Sequence, residues 1–373
     1  MTRTSSYPDP IEWLTGHALP FWSRNGFDAP GRGVWEGLGH DGRPLPDMIK
    51  RMRVQARQAL VFASASAAGH GDFRHEARAA FAFLTQYAYD PATGSFHALL
   101  DRDGLVTDRT QDLYDLAFVL LAMAQLKAAG EEAIVAEWLP RWKKALTLQA
   151  AHRGWLETPE GRLPRRQNPH MHMFEATLGF YELGGEPAFL DMAETCLDLF
   201  RTVFLDKATG LVFEYFDADW QPVARGEQVI EPGHMVEWVF LLSEYERVVG
   251  KPCGVDLRAL FDRAIGFGLD ARGEFLLDRF ALDGAAISPA RRMWPQTELL
   301  KATRILARMG ETLPAAFTPD AVYGRFYANY LDTPIRGGWY DQFNAEGRLI
   351  STYMPSSSFY HVYSALTTYA ERG

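Results

Sequence analysis

Cysteine is nearly absent from the 373 residues: only Cys196 and Cys253 occur. That scarcity excludes a disulfide framework and a thiolate metal site, and both residues are read as packing groups of a chain in a reducing cytoplasm. Basic charge is also short, 38 Lys and Arg against 47 Asp and Glu for a net charge of −9, so a general nucleic-acid binder is excluded. No apolar run reaches membrane-spanning length. The first ten residues, polar and interrupted by Pro8 and Pro10, lack the basic-then-apolar layout of a secretory leader. Neither a phosphate-cradling GxxxxGK[ST] loop nor a strand followed by GxGxxG can be placed, and there is no HExxH pair. The expectations are therefore no nucleic-acid or membrane partner, no cofactor and no metal.

What is present is apolar material for a large core, 47% of the chain with 13% aromatic, and an internal repeat. Six times a glycine precedes aromatic or aliphatic residues and then a polar turn. The openings are Gly33-Val34-Trp35, Gly94-Ser95-Phe96, Gly154-Trp155-Leu156, Gly210-Leu211-Val212, Gly273-Glu274-Phe275 and Gly338-Trp339-Tyr340, separated by 61, 60, 56, 63 and 65 positions. Five of the turns are Asp-Gly or Glu-Gly pairs within such runs, a hairpin signal. Each interval leaves room for two helices, and the apolar periodicity places them at 11–22, 47–67, 72–88, 111–129, 131–149, 171–183, 187–203, 236–249, 254–267, 294–309, 313–330 and 357–370. The pattern predicts an all-α fold, an (α/α)6 barrel of about twelve helices in two concentric rings with short β-hairpins at one rim. The first helix after each hairpin lines the inner ring, and 11–22 pairs with 357–370 to close the circle. Closure makes residues 1–373 one domain, because no half buries its inner faces alone; an open helical solenoid is the alternative.

Chemically capable side chains gather at the starts of the inner helices. Arg53 and Arg57 lie on the first, Asp112, Tyr114 and Asp115 open the second, and Asn168, His170, His172 and Glu175 the third. Glu231, His234, Glu237 and Trp238 head the fourth, Trp294, Gln296 and Glu298 the fifth, and Tyr360 and His361 the sixth. Parallel inner helices bring these to one rim, where a concave polar pocket with interleaved Trp and Tyr is a ligand site. His172 with Glu175 and His234 with Glu237 are i, i+3 pairs. A carboxylate beside an imidazole raises its basicity while the helix N-terminus favours the neutral form, an opposition that leaves the pKa near neutrality.

Each residue also has a structural reading: a lone histidine as a hydrogen-bonded core group, Arg53 or Arg57 as half of an ion pair, Glu175 and Glu237 as charges at helix starts, Trp238 and Trp294 as wall. His170-Met171-His172 resembles a metal ligand set only superficially, since residues two apart on a helix diverge. Arg165-Arg166 and Arg291-Arg292 flank two inner helices and are read either as clamps for an anionic sugar head or as solvated surface.

The blocks Arg53-Val54-Gln55-Ala56-Arg57-Gln58, Asn168-Pro169-His170-Met171-His172-Met173-Phe174-Glu175-Ala176, Glu231-Pro232-Gly233-His234-Met235-Val236-Glu237-Trp238 and Ser358-Phe359-Tyr360-His361 resemble the N-acylglucosamine 2-epimerase superfamily. The resemblance runs nearly end to end and implies 2-epimerases and aldose–ketose isomerases on (α/α)6 barrels. It implies His234 and His361 as acid/base histidines, Glu237 as carboxylate partner of His234, His172 as a contact to sugar oxygens, and Arg57 as the group stabilising the intermediate. Arg53, Tyr114, Asn168, Glu175, Glu231, Trp238, Trp294 and Glu298 complete the expected sugar-binding set. The tract Met354-Pro355-Ser356-Ser357-Ser358 is similar to mannose isomerase-type members, so aldose–ketose isomerisation of the mannose/fructose type is favoured over 2-epimerisation. The expected partner is a small-molecule sugar, with the chain a monomer or homodimer. A glycoside hydrolase using two of Glu175, Glu237 and Glu298 leaves the three histidines idle; a non-catalytic sugar-binding barrel is the third class.

Overall fold

Two kinds of helix differ in how much of their surface is apolar, and that difference sorts them into two rings. The helix Leu113–Ala128 buries 12 of its 16 residues, including Asp115, whereas Glu132–Thr147 buries only Val135, Trp142, Ala145 and Leu146. A helix that is apolar on nearly every side must be enclosed, and one with a single stripe lies outside. The computed structural model describes residues 7–371; positions 1–6, part of the segment read for a secretory leader, lie outside the described residues.

Twelve helices follow in order: α1 (10–25), α2 (Met52–Ala67), α3 (74–88), α4 (Leu113–Ala128), α5 (Glu132–Thr147), α6 (Gln167–Gly184), α7 (187–204), α8 (Pro232–Val249), α9 (Leu257–Gly268), α10 (Met293–Arg308), α11 (319–331) and α12 (Phe359–Ala370). The even-numbered helices pack in sequence, α2 on α4 through to α12, and α12 returns to α2; each odd-numbered helix covers an inner partner, with α1 on α12. The ring therefore closes, and the fold is the (α/α)6 barrel expected from the repeat.

Short strands staple the mouth. The residues leading into four of the inner helices pair antiparallel with the hairpin of the following repeat: Lys50–Arg51 with Leu99–Leu100, Arg165–Arg166 with Tyr215–Phe216, Val229–Ile230 with Arg279–Ala281, and Arg291–Arg292 with Gln342–Phe343. Gly37–Gly39 pairs with Tyr353–Pro355, with Leu38 opposite Met354, 316 positions apart by subtraction, and joins last repeat to first. The expected hairpins thus pair mainly across repeats, because the helix pairs on either side hold neighbouring loops together.

Two inner helices begin earlier than the periodicity suggests. Pro169 and Pro232 are read as chain breakers in sequence, but proline is accepted in a first turn, where its missing N–H has no helical partner. α6 therefore starts at Gln167 and α8 at Pro232, which puts His170, His172 and His234 inside the first two turns. Both helices end on a left-handed glycine, Gly185 (φ 65°) and Gly250 (φ 71°), whose N–H closes the last turn.

Candidate active site

A cavity of about 620 Å³ opens among the hairpins, and its wall includes Arg53, Arg57, Tyr114, Asn168, His172, Glu231, His234, Glu237, Trp294 and His361. His172, His234 and His361 thus face one space from three different inner helices. Trp294 stands between two of them, its ring centroid 5.0 Å from that of His234 and 5.9 Å from that of His361.

Each imidazole is held from behind by a carboxylate at Nδ1. The partners are Glu175 Oε2 for His172 at 3.0 Å, Glu214 Oε1 for His234 at 2.9 Å, and Glu298 Oε1 for His361 at 2.9 Å. Carboxylate hydrogen bonds of this kind fix ring orientation and tautomer and leave Nε2 as the other ring nitrogen. The second oxygen of Glu175 accepts from the Tyr360 hydroxyl, and Glu298 Oε2 lies 2.5 Å from Lys301 Nζ, both side chains being fully buried. Arg57 is fixed on several sides: Nη2 donates to Tyr114 Oη at 2.5 Å, Nη1 donates to the Ser357 carbonyl at 3.3 Å, and the guanidinium lies 4.1 Å from the Phe118 ring centroid.

The shared geometry produces different charges. Burial opposes charge on His234, but the carboxylates of Glu214 and Glu231 outweigh it and raise its pKa to about 9. At His361 burial prevails over Glu298, helped by the positive charges of Arg57 and Lys301, and the pKa falls to about 4. Burial also lowers His172 against the pull of Glu175. Glu237 is pushed well above the usual carboxylate range by burial and by the nearby charge of Glu298, both of which favour its protonated form. Burial would do the same to Glu298, but Lys301 and His361 outweigh it and keep that group ionised. The expectation of imidazole pKa values near neutrality is therefore corrected: partner count and burial, not the helix dipole, separate an imidazolium from two neutral rings.

Four further sequence expectations are corrected in detail. His234 is held by Glu214, with Glu231 Oε2 at 3.6 Å, and not by Glu237; Glu237 Oε1 instead lies 4.0 Å from His172 Nε2. Trp238 is fully buried between α6 and α7, its ring tilted against those of Phe200 and Phe174 and its Nε1 donating to Gln167, and does not reach the cavity. Glu175 and Glu298 stand behind His172 and His361 and are not wall residues; Glu175 borders a second cavity, about 580 Å³, at the opposite end of the inner ring. The arginine pairs do not act as pairs, since only Arg166 and Arg292 face the cavity. His170 is a core group whose Nε2 accepts from the Trp155 N–H. Gln296 braces the Leu276 backbone. Two clusters, His172 with Glu175 and Glu237, and His234 with Glu214 and Glu231, bring donor atoms within 4.8 Å, but both already contain an imidazole–carboxylate hydrogen bond.

Glu214 and Lys301 escaped the sequence reading. A signal for the former was available: a carboxylate follows the opening glycine by three to five positions in five of the six copies, as Glu36, Glu157, Glu214, Asp278 and Asp341. For Lys301 there was none, since a lysine in an inner helix gives no sign of being sealed.

Comparison with known proteins agrees with this architecture. The family described as N-acylglucosamine 2-epimerase (GlcNAc 2-epimerase) matches residues 33–365. A mannose-6-phosphate isomerase of Rhizobium meliloti (strain 1021) is 34% identical over 370 residues, 95% of this chain and 94% of that protein. Among solved structures, a D-mannose isomerase superposes with a TM-score of 0.85 at 22% identity, covering 99% of each chain. The cellobiose 2-epimerase of Spirochaeta thermophila DSM 6192 gives 0.83 at 23% identity, covering 97% of this chain and 94% of that one.

Proposed function

This chain belongs to the N-acylglucosamine 2-epimerase family, a family of sugar isomerases and 2-epimerases, and on that premise we propose that it is an aldose–ketose isomerase acting on a hexose of the mannose/fructose type. The observation that carries this reading is the placement of two oppositely charged-state histidines, His234 and His361, on one cavity either side of Trp294. Moving a carbonyl from C1 to C2 requires ring opening, removal of the C2 proton and stabilisation of an enediolate. His234, an imidazolium at neutral pH, donates to the ring oxygen as the C1–O5 bond breaks, and the anomeric hydroxyl gives its proton to His172 as the C1 carbonyl forms. His361, neutral and backed by an ionised Glu298 that steadies it once protonated, takes the C2 proton and returns it to C1. Arg57 and His172 face the developing oxyanion. The hydroxyl proton that must pass between O2 and O1 is served by His172 and by Glu237 beside it, His172 Nε2 lying 4.0 Å from Glu237 Oε1.

Delivery to C2 from the opposite face by His234 gives the 2-epimer from the same site. The relative that is 34% identical is named an isomerase, which supports the ketose outcome. NMR of mannose incubated in heavy water distinguishes the products. Fructose labelled at C1 is expected; glucose labelled at C2 with no ketose would replace the isomerase by the epimerase, and inertness towards both phosphorylated and free hexoses would reject both.

We take residues 1–373 as one catalytic unit because the inner helices bury their faces only when the ring is closed. No helix of the described residues is long and apolar enough to cross a membrane. The buried free thiols Cys196 and Cys253 support a reducing compartment, the cytoplasm.

A further inference from the structure

The inner ring is left unfilled at the end away from the hairpins. The cavity of about 580 Å³ there lies among α2, α4, α6 and α12. Three of these helices line it in the same way, an aliphatic or aromatic residue and then a polar one a single turn lower: Leu60 and Ser64 on α2, Leu121 and Gln125 on α4, Tyr360 and Ser364 on α12. Parallel helices with this spacing give two levels, a largely apolar collar and, about 6 Å beneath it at 1.5 Å per residue, a polar one. Among the described residues the side chains of Ser64, Gln125 and Ser364 make no hydrogen bond to protein. At the inner end the Tyr360 hydroxyl donates to Glu175.

Those groups define what the cavity can hold. Among the described residues its wall contains no lysine or arginine, and burial shifts His70, whose Nδ1 lies 3.0 Å from the Tyr363 hydroxyl, towards the neutral form. An anion therefore finds no counter-charge there. Hydroxyl and amide side chains both donate and accept, so three of them without protein partners match a molecule whose own groups do both, and Glu175 adds an acceptor. Leu60, Leu121 and the Tyr360 ring offer an apolar surface to its C–H groups. The volume falls within the range of small-molecule pockets, about 300–1,000 Å³. Glu175 also links this cavity to the active site, since its Oε2 accepts from His172 Nδ1 at 3.0 Å. Of the three carboxylates behind imidazoles it is the least sealed, with 14% of its side chain exposed against 4% for Glu214 and 0% for Glu298. Burial alone raises its pKa, but His172, Lys301 and Tyr360 outweigh that and hold it ionised.

We infer that the lower cavity is a second binding site, for a small uncharged polyol such as a free sugar or a sugar alcohol, and that its occupant acts on the active site through Glu175. A hydroxyl donating to that carboxylate draws charge from its bond to His172 and lowers the basicity of the ring. His172 receives the anomeric proton in the isomerase reading, so a filled lower cavity slows turnover without blocking the mouth. The effect on turnover rests on that reading; the binding does not.

The test uses two polyols that have no carbonyl to isomerise, cyclic myo-inositol and linear sorbitol, in calorimetric binding and in mannose turnover. Wild type, Ala67→Trp and Gln125→Leu are each measured with and without polyol; Ala67 stands exposed at the opening, and Gln125 is one of the three unpartnered groups. For at least one polyol, kcat of the wild type should fall about fivefold at saturation, the lower end of coupling between sites, with KM unchanged. Ala67→Trp fills the opening and should abolish both the heat of binding and the inhibition. Gln125→Leu should raise the polyol concentration required by about three- to tenfold, the loss of one neutral hydrogen bond. Absence of binding heat in the wild type, purely competitive inhibition, or an equal effect in all three proteins overturns the inference. Binding that Ala67→Trp abolishes but that leaves kcat unchanged overturns the link through Glu175. The same binding with no ketose formed from any hexose sinks the isomerase reading and leaves the lower site standing.

Discussion

The floor of the cavity and its rim are built from the same residue types and treat charge in opposite ways. On the floor, Glu298 and Lys301 are sealed at 0% exposure beside Glu237, and burial decides which groups are ionised at all. At the rim, the side chains of Arg51, Arg166 and Arg292 are about a third exposed (32%, 33% and 32%), stay charged whatever happens, and are aimed by the acids behind them. Coulomb energy at 4 Å rises from ~1 kcal/mol in water to ~4 kcal/mol at an effective dielectric of 20, so floor groups tune one another while rim groups mainly orient one another. A barrel mouth can thus hold buried titratable groups with separated pKa values beneath a collar of partly exposed arginines.

The comparison is tested most severely by removing the proposed base. His361→Asn should lower kcat/KM by about 10³-fold, within the range for a general base, while sugar binding measured by calorimetry persists. Loss of binding in parallel with turnover would move His361 from chemistry to recognition. Next in size is a contrast in stability: Lys301→Met strands Glu298 in the core and should cost about 3–5 kcal/mol. Arg279→Met, whose side chain is 42% exposed, should cost under ~1 kcal/mol. Similar denaturation midpoints for the two variants would refute the division between floor and rim.

The smallest expected effect concerns pH. With His361 required neutral and His234 required charged, activity should rise through about pH 4, hold, and fall as pH passes about 9. Glu214→Gln removes a charge that holds His234 protonated, so the alkaline limb should move to lower pH, with about tenfold less activity at pH 8. An unmoved limb in that variant would take the acid role away from His234.

Much of the fold was legible because it is periodic. The spacing of Gly33, Gly94, Gly154, Gly210, Gly273 and Gly338 marks six units, and the all-round burial of α4 marks an inner helix. The meeting of His172 with Glu175 followed from one helix turn. The assignment of Glu237 to His234 failed because helix spacing says which residues share a face, not which acid arrives from outside it. Glu214, twenty residues upstream on a hairpin, reaches Nδ1 first. Trp238 shows the same limit: one position beyond Glu237, it is rotated into the gap between the rings and spends its N–H on Gln167. The early starts of α6 and α8 were hidden because a proline that breaks a helix interior is harmless in its first turn.

Local order along the chain is enough to determine that six helical hairpins form, which helix of each pair is enclosed and that histidines and acids cluster at one end, since apolar periodicity and turn chemistry act over a few residues. Closure of the ring decided the rest: which carboxylate backs which imidazole, which arginine of each pair turns inward, and which groups carry charge. Those outcomes depend on distances between residues remote in sequence and on exclusion of water, and both exist only once the last repeat has docked against the first.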